Sequence, residues 1–434
     1  MAQPAQIERR NKGMADSLSF GHRSPRRNWS ASCSPYCSLG TRWKESRTGC
    51  PAFLSKFIVI EGYRLLGDFI RQVDVRNTDG KEENLLGVSV QKMFIPSIAN
   101  TVGTDFTKYK VVKRGQFTYI PDTSRRGDKI GIALLTDYDE GLVSNIYTVF
   151  EVKDENELLP EYLMLWFSRP EFDRYARFKS HGSVREIMDW DEMCKVELPV
   201  PSIEKQRSIV KAYNTITDRI ELKRKINDNL AAQMRAYFKE YTANNASITG
   251  KLKDYSVMQY GYTETATTEP VGPKFLRITD IAQNYIDWNG VPYCPISEEN
   301  HEKYVLSEGD VVVARTGATV GYAKMVGRNI PDSVFASFLV RIRPIDDEYR
   351  YYFGLAITSA EFLNFVQTNA GGSAQPQANP PLLGEFELSI PNKQSLPEFN
   401  TKISSFLGVI ESNETEISKL HEVKDTMVKM LSSR

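Results

Sequence analysis

"ELPVPSIEKQRSIVKAYNTITDRIELKRKIND", residues 197–228, is the stretch whose reading decides the fold. After Pro201 the pattern changes character. Ile209, Tyr213, Ile216 and Ile220, and further on Leu230, Met234, Tyr237 and Tyr241, sit on one alternating four-three spacing, interrupted by Lys223 and Asn227. Such a spacing is a heptad seam, which keeps one narrow apolar line on the same side of a helix. A helix from about residue 203 to 241 would be roughly 55 to 60 Å long at 1.5 Å per residue.

Sliding the chain against itself by 190 residues brings up the same stretch again. Glu197, Leu198, Pro199, Val200 and Pro201 fall on Glu387, Leu388, Ser389, Ile390 and Pro391. The seam returns as Phe399, Ile403, Phe406, Ile410, Ile417, Leu420, Met427 and Leu431, now interrupted by Asn413 and Lys424. Upstream, the shift lays Gly182-Ser183 over Gly372-Ser373 and Asp189-Trp190 over Asn379-Pro380. It also lays Arg125, Gly127, Ile130, Gly131 and Ala133 over Arg315, Gly317, Val320, Gly321 and Ala323, and Phe150 to Lys153 over Val340 to Arg343. Further upstream the match drifts, with Gly115 on Gly309 and "LLGDF" (65–69) on "KLKDY" (251–255), as insertions in surface loops would cause. The chain is two copies of one unit of about 190 residues, the signature of an internal repeat.

A seam kept for five heptads is narrower and longer than a globular surface needs, so the two helices are expected to pack on each other as a coiled coil. The other arrangement has each helix lying on its own globular unit. Asn227, Asn413 and the seam lysines would fix register and orientation. The segments ahead of the helices mix strand and loop with few helices. "KVVKRGQFTYI" (110–120) and "YVLSEGDVVVARTG" (304–317) alternate toward strand with a glycine turn, whereas 159–178 and 347–366 have helical spacing. Each unit is therefore α+β.

Composition sets outer limits. At 434 residues the chain is too long for one ordinary core, and 41% apolar with 25% charged residues is a usual globular balance. Basic and acidic residues number 55 each, so any nucleic-acid binding must come from local patches. No apolar run reaches membrane-span length, and a cytoplasmic protein is the plain expectation. Five cysteines, with Cys194 and Cys294 standing alone, support neither a disulfide framework nor a Cys-x-x-Cys metal site. Residues 1–56 are foreign to the rest, with ten Lys/Arg against three acids and no periodicity. They read as a disordered tail or an upstream-extended reading frame, with a basic arm touching nucleic acid as the other possibility.

Several apparent catalytic motifs fail on inspection. Asn379-Pro380-Pro381 evokes the loop with which adenine methyltransferases hold a flipped base. That loop needs an aromatic next, where this chain has Leu382, and its repeat counterpart Asp189-Trp190-Asp191 has no proline. Pro121-Asp122 with Glu151-Val152-Lys153 matches a loose metal-dependent nuclease pattern, but the repeat puts an arginine in place of Glu151. The four histidines lie far apart, and "RTGATVG" (315–321) lacks the Gly-Lys-Ser/Thr ending of a phosphate loop.

Polar, glycine-bearing loops remain, repeated once per unit. "TSRRGDKIG" (123–131) offers Arg125, Arg126 and Lys129, and "FKSHGSVR" (178–185) offers Lys179, Ser183 and Arg185. In the second copy, "QYGYTETATT" (259–268) offers Tyr260, Tyr262 and Thr263, "RTGATVG" offers Arg315 and Thr316, and "GGSAQPQ" (371–377) offers Ser373, Gln375 and Gln377. Arginine suits guanine, glutamine suits adenine, and lysine or serine anchors phosphate, so such loops fit readout of bases in a groove.

With two junctions of this kind, two "L-x-D" starts and two Gly-Ser loops, residues 60–434 resemble the specificity subunit of a type I restriction-modification enzyme. The stretch "GPKFLRITDIAQNYIDWNGVPYC" (272–294) also resembles the start of such a subunit's second recognition domain. The resemblance implies two target-recognition domains, 57–201 and 246–391, held apart by a central helix, 202–245, and a C-terminal helix, 392–434, running antiparallel. It further implies that each domain reads half of a split double-stranded DNA target and that the helices set the gap. Two methyltransferase subunits carrying S-adenosylmethionine would dock on the helices. Restriction subunits would bring ATP-driven translocation and Mg²⁺-dependent cleavage, leaving this chain non-catalytic. A self-sufficient methyltransferase or nuclease with its own recognition domains is the competing expectation.

Overall fold

The structure, a computed structural model, describes residues 62–97, 103–123, 129–180, 186–282, 285–370 and 377–431. The segment 1–56 lies outside them.

Each globular unit is built on one four-stranded antiparallel sheet, and the strand order is the same in both. In the first, Ile70–Val73, Thr148–Val152, Phe117–Tyr119 and Ile132–Leu134 follow one another across the sheet. In the second the order is Ser256–Tyr260, Leu339–Pro344, Val311–Ala314 and Ala323–Met325. Helices cover one face: Pro160–Phe167 and Pro170–Lys179 in the first unit, Arg350–Ile357 and Ala360–Asn369 in the second. Both helices of the first unit start on a proline, whose missing N–H costs nothing at a first turn. The cores are aromatic. Phe117 and Phe150 stack at 4.9 Å with Phe167 edge-on to both, while Tyr352, Phe353 and Phe362 fill the second core beside Val340 and Ile342. Burying each such ring is worth about 1.5 to 3 kcal/mol.

The chain enters and leaves each unit at the same place. Tyr63–Leu65 pairs antiparallel with Glu197–Pro199, and Ala246–Lys251 pairs likewise with Glu387–Pro391. The Leu66 N–H donates to the Val196 carbonyl at 2.7 Å, and the Leu252 N–H donates to the Phe386 carbonyl at 2.9 Å. Gly115 and Gly309 occupy the same turn with φ of +83° and +84°, a region that side chains disfavour. Each donates its N–H at 2.9 Å, to Leu135 and Val326 respectively.

The ladders correct the repeat alignment in two places. Phe117 faces Phe150 and Val311 faces Ile342, so the counterpart of Glu151 is Arg343, two positions beyond the Arg341 that the uniform shift selects. Tyr119 faces Ile132 and Val313 faces Ala323, and the Met188 N–H donates to Pro121 as the Ala378 N–H does to Arg315. Pro121, not Arg125, is therefore the counterpart of Arg315, because the loop that follows is three residues longer in the first unit. The units also differ in their additions. The first carries the hairpin Leu86–Val88 with Phe94–Pro96 and the pair Lys110–Lys113 with Glu140–Val143; the second carries the parallel pair Lys274–Leu276 with Ser333–Phe335.

The two long helices, Ile203–Asn245 and Leu396–Met430, run antiparallel. The Lys424 ammonium lies 4.7 Å above the Tyr213 ring at one end, and the Tyr241 and Phe399 rings pack at 4.4 Å at the other. Ile209, Ile220, Met234, Phe399, Ile403 and Ile417 are buried, and Tyr213, Ile216, Leu230, Phe406, Ile410, Leu420 and Met427 are half-buried. The middle of the seam is polar. Asn413 donates to Asn227 at 2.7 Å, Lys223 donates to Asn413 at 2.9 Å and pairs with Glu416 at 2.7 Å, and Asn227 donates to Glu414 at 2.6 Å. The two arrangements weighed from the sequence coexist: the helices pair with each other, and their ends enter globular cores. Ile209 and Leu431 belong to the first core, and Met234, Tyr241, Phe399 and Ile403 to the second.

Candidate nucleic-acid interface

The loops singled out in sequence begin and end together. In the first unit the Thr123 N–H donates to the Glu186 carbonyl at 3.0 Å, and the Thr123 hydroxyl donates to Ser180 Oγ at 2.9 Å. Asp122 bridges to Ile187. The flanks of 124–128 and of 181–185 therefore meet at one end of the sheet. Arg125, Arg126, Ser183 and Arg185 lie outside the described residues. Lys129, the first described residue after 124–128, is exposed, while Lys179 is half-buried, 3.9 Å from Glu192 and above the Tyr175 ring.

Asp173 anchors this end. Its carboxylate accepts from the Ile130 N–H at 3.2 Å, just past the first loop, and pairs at 2.9 Å with Lys92 from the tip of the Leu86–Pro96 hairpin. The two side chains are 7% and 11% exposed, and Lys92 Nζ also donates to the Phe167 carbonyl. Burial pulls the Lys92 amine below its ordinary pKa, and the Asp173 hydrogen bond opposes the fall. Sequence reading missed Lys92, since a lone lysine in a hairpin carries no pattern.

The second unit repeats the arrangement with other residues. Thr316 bridges to Gln377, so the flanks of "RTGATVG" and of 371–376 meet; Ser373 and Gln375 lie outside the described residues. The Arg315 guanidinium sits 4.7 Å above the exposed Tyr260 ring and donates to the Ser337 carbonyl at 3.4 Å. Stacking on a ring fixes the plane of the guanidinium and leaves in-plane donors for a paired acceptor such as guanine O6/N7 or a phosphate. Thr263 is exposed, but Tyr262 is half-buried against Tyr304, with ring centroids 5.2 Å apart. Of the second unit's candidates, Tyr260, Arg315 and Thr316 thus come together at the sheet end, and Tyr262 serves the core.

The catalytic look-alikes receive structural explanations. Asn379 accepts from the Leu382 N–H at 2.9 Å and caps the short helix Pro380–Gly384, as Asp189 caps Trp190–Cys194 by accepting from Glu192 at 2.8 Å. Asn-Pro-Pro is a helix start, with proline where the helix has no N–H to satisfy. Glu151 accepts from Arg71 and Gln116, both at 2.7 Å, and Lys153 donates to the Gly67 and Asp68 carbonyls at 2.9 and 3.1 Å. Glu151 is thus held by Gln116 just ahead of the Phe117–Tyr119 strand, whereas Asp122 follows that strand's other end. Among the described residues no group of three or more His, Cys, Asp or Glu is placed to hold a metal ion, and no helix is long and apolar enough to cross a membrane.

A duplicated α+β unit, each copy gathering polar loops at one sheet end and leading into a long paired helix, is the architecture of a two-headed reader. The family model described as the type I restriction modification DNA specificity domain matches the chain twice, over residues 69–232 and 268–424, and the chain belongs to that family. Its role is that of a specificity subunit. It is similar to the MjaVIII type I restriction enzyme specificity subunit of Methanocaldococcus jannaschii, at 21% identity over 320 residues, 67% of this chain and 73% of that one. It is also similar to the HindI specificity subunit of Haemophilus influenzae, at 20% identity over 452 residues, 84% of this chain and 97% of that one. Among solved structures, the type I restriction-modification S subunit from M. genitalium shares the fold, with a TM-score of 0.51 at 14% identity, over 87% of this chain and 97% of that one.

Proposed function

We propose that residues 57–201 and 246–391 each read one half of a split, asymmetric duplex DNA target, and that the paired helices 202–245 and 392–434 set the unread gap between the halves. The observation that carries this reading is the duplication itself: two reading ends of different chemistry, joined by one antiparallel helix pair within a single chain. From Ile209 in the first core to Tyr241 in the second is about 48 Å of helix at 1.5 Å per residue, more than one turn of duplex. The helices also dock two modification subunits, which carry S-adenosylmethionine, and the assembly recruits restriction subunits that use ATP and Mg²⁺. Such a complex works where the chromosome is, in the cytoplasm.

The test is to co-express the chain with its modification subunits and map methylated adenines across a genome by single-molecule sequencing. A gapped two-part motif is the expected result. Exchanging residues 57–201 for the equivalent domain of a relative should change one half of that motif only. A continuous motif, a change in both halves, or methyl transfer by the purified chain alone would overturn the proposal.

A further inference from the structure

Among the exposed large apolar side chains of the described residues, Ile146 and Phe338 form the one pair that falls on equivalent positions of the two units. Both lie in the turn that opens the sheet's most central long strand. In the first unit the Tyr147 N–H donates to the Ser144 carbonyl at 3.1 Å, and in the second the Leu339 N–H donates to the Ala336 carbonyl at 2.9 Å. Ile146 and Phe338 are each the third residue of that four-residue turn, 64% and 57% exposed. A turn tip ordinarily carries Gly, Asn, Asp or Ser, because these satisfy the turn backbone and cost nothing in water. Both units nevertheless carry a bulky apolar side chain here.

The turn also adjoins the loops. Thr148 pairs with Tyr119 and Val340 pairs with Val313, and two residues beyond those partners stand Pro121 and Arg315, where the loops begin. The Arg315 N–H donates to the Phe338 carbonyl at 3.0 Å, so a stacked guanidinium and an exposed ring share one edge.

We propose that Ile146 and Phe338 are base-contacting residues, one for each half of the duplex target, each pressing an apolar side chain against a base. The inference rests on the two-half reading above. The surface met is apolar in either of two ways: the methyl group of a thymine at a major-groove edge, or the face of a base at a step opened from the minor groove.

The experiment uses the full chain in complex with its modification subunits, with a randomised duplex library as probe. The parent selects a consensus; Ile146→Ser and Phe338→Ser are then measured on that consensus duplex. Each variant is expected to bind it about tenfold or more weakly and to relax selection in one half only, a different half for each. Ile146→Leu and Phe338→Leu should keep both affinity and selection. Because both side chains are exposed, unchanged thermal unfolding and co-purification confirm that the serine variants are folded. Uracil in place of thymine weakens binding of the parent but not of the variant if a methyl group is met. A rise in 2-aminopurine fluorescence with the parent alone marks an opened step. Serine variants that bind and select as the parent does overturn the inference while leaving the two-half reading intact. A parent that selects no sequence overturns the two-half reading itself.

Discussion

Asn413→Ala opens the polar centre of the helix pair, and the structure sets the size of the effect. Asn227 and Asn413 are 8% and 7% exposed, and the substitution leaves the Asn227 carbonyl oxygen without the donor that now sits 2.7 Å away. A buried acceptor stripped of its partner costs about 2 kcal/mol, and the lost Lys223 hydrogen bond adds about 0.5 kcal/mol because that ammonium keeps Glu416. The sum, about 2.5 kcal/mol, corresponds to roughly 60-fold more frequent opening. Hydrogen exchange followed by mass spectrometry, on peptides spanning the middle of either helix, reads that opening directly. Asn227→Leu with Asn413→Leu removes both polar partners and leaves an apolar pair, and should return protection to within about 1 kcal/mol of the parent. The reasoning is refuted if Asn413→Ala exchanges no faster, or if the double leucine variant exchanges as fast as the sum of the single changes requires.

Ile216→Asp with Ile220→Asp places two carboxylates in the seam, one of them at the buried position 220, and should abolish co-purification with the modification subunits while both globular cores stay protease-resistant; retained co-purification would contradict it. Asn379→Ala removes a cap and should lower the second unit's stability by about 1 kcal/mol without affecting methylation by the complex, whereas loss of methylation from a folded variant would revive a catalytic role. Glu385 accepts from Lys251 and Lys253, both at 2.6 Å, and these hold its carboxyl at about 2, down from 4.5. A depressed folded value gives stability that is complete above 4.5 and lost as pH falls through about 2. Glu385→Gln should therefore flatten the fall of the unfolding temperature across that window, and an unchanged slope would sink the assignment.

The helices were legible because a seam held over many turns is a long signal, and the duplication because two prolines lead into two such seams. The strand register was less so. The counterpart of Glu151 lies two places from where the uniform shift put it, and a slip of two keeps every side chain on its own face, so apolar alternation cannot detect it. The hairpin around Lys92 was missed for another reason. Its strands are three residues each, too short for a period, and what holds it is a lysine buried on Asp173 from a distant helix. At the sheet ends, a glycine-rich loop drew attention to Arg315 and Thr316, and the fold sets Arg315 over Tyr260. Phe338 drew none, because "SVFASFLV" (333–340) reads as core, and only the fold shows that one of its phenylalanines faces water.

The antiparallel clasp at the foot of each unit, Leu65 on Glu197 and Lys251 on Glu387, has a consequence for how such a chain can change. With both ends held side by side, whatever lies between them is a closed loop, and lengthening a loop adds to its closure entropy only as the logarithm of its length. A hairpin gained in one unit or a parallel strand pair gained in the other therefore leaves the helices where they were. The interior is free to drift in evolution while the span between the two heads stays constant.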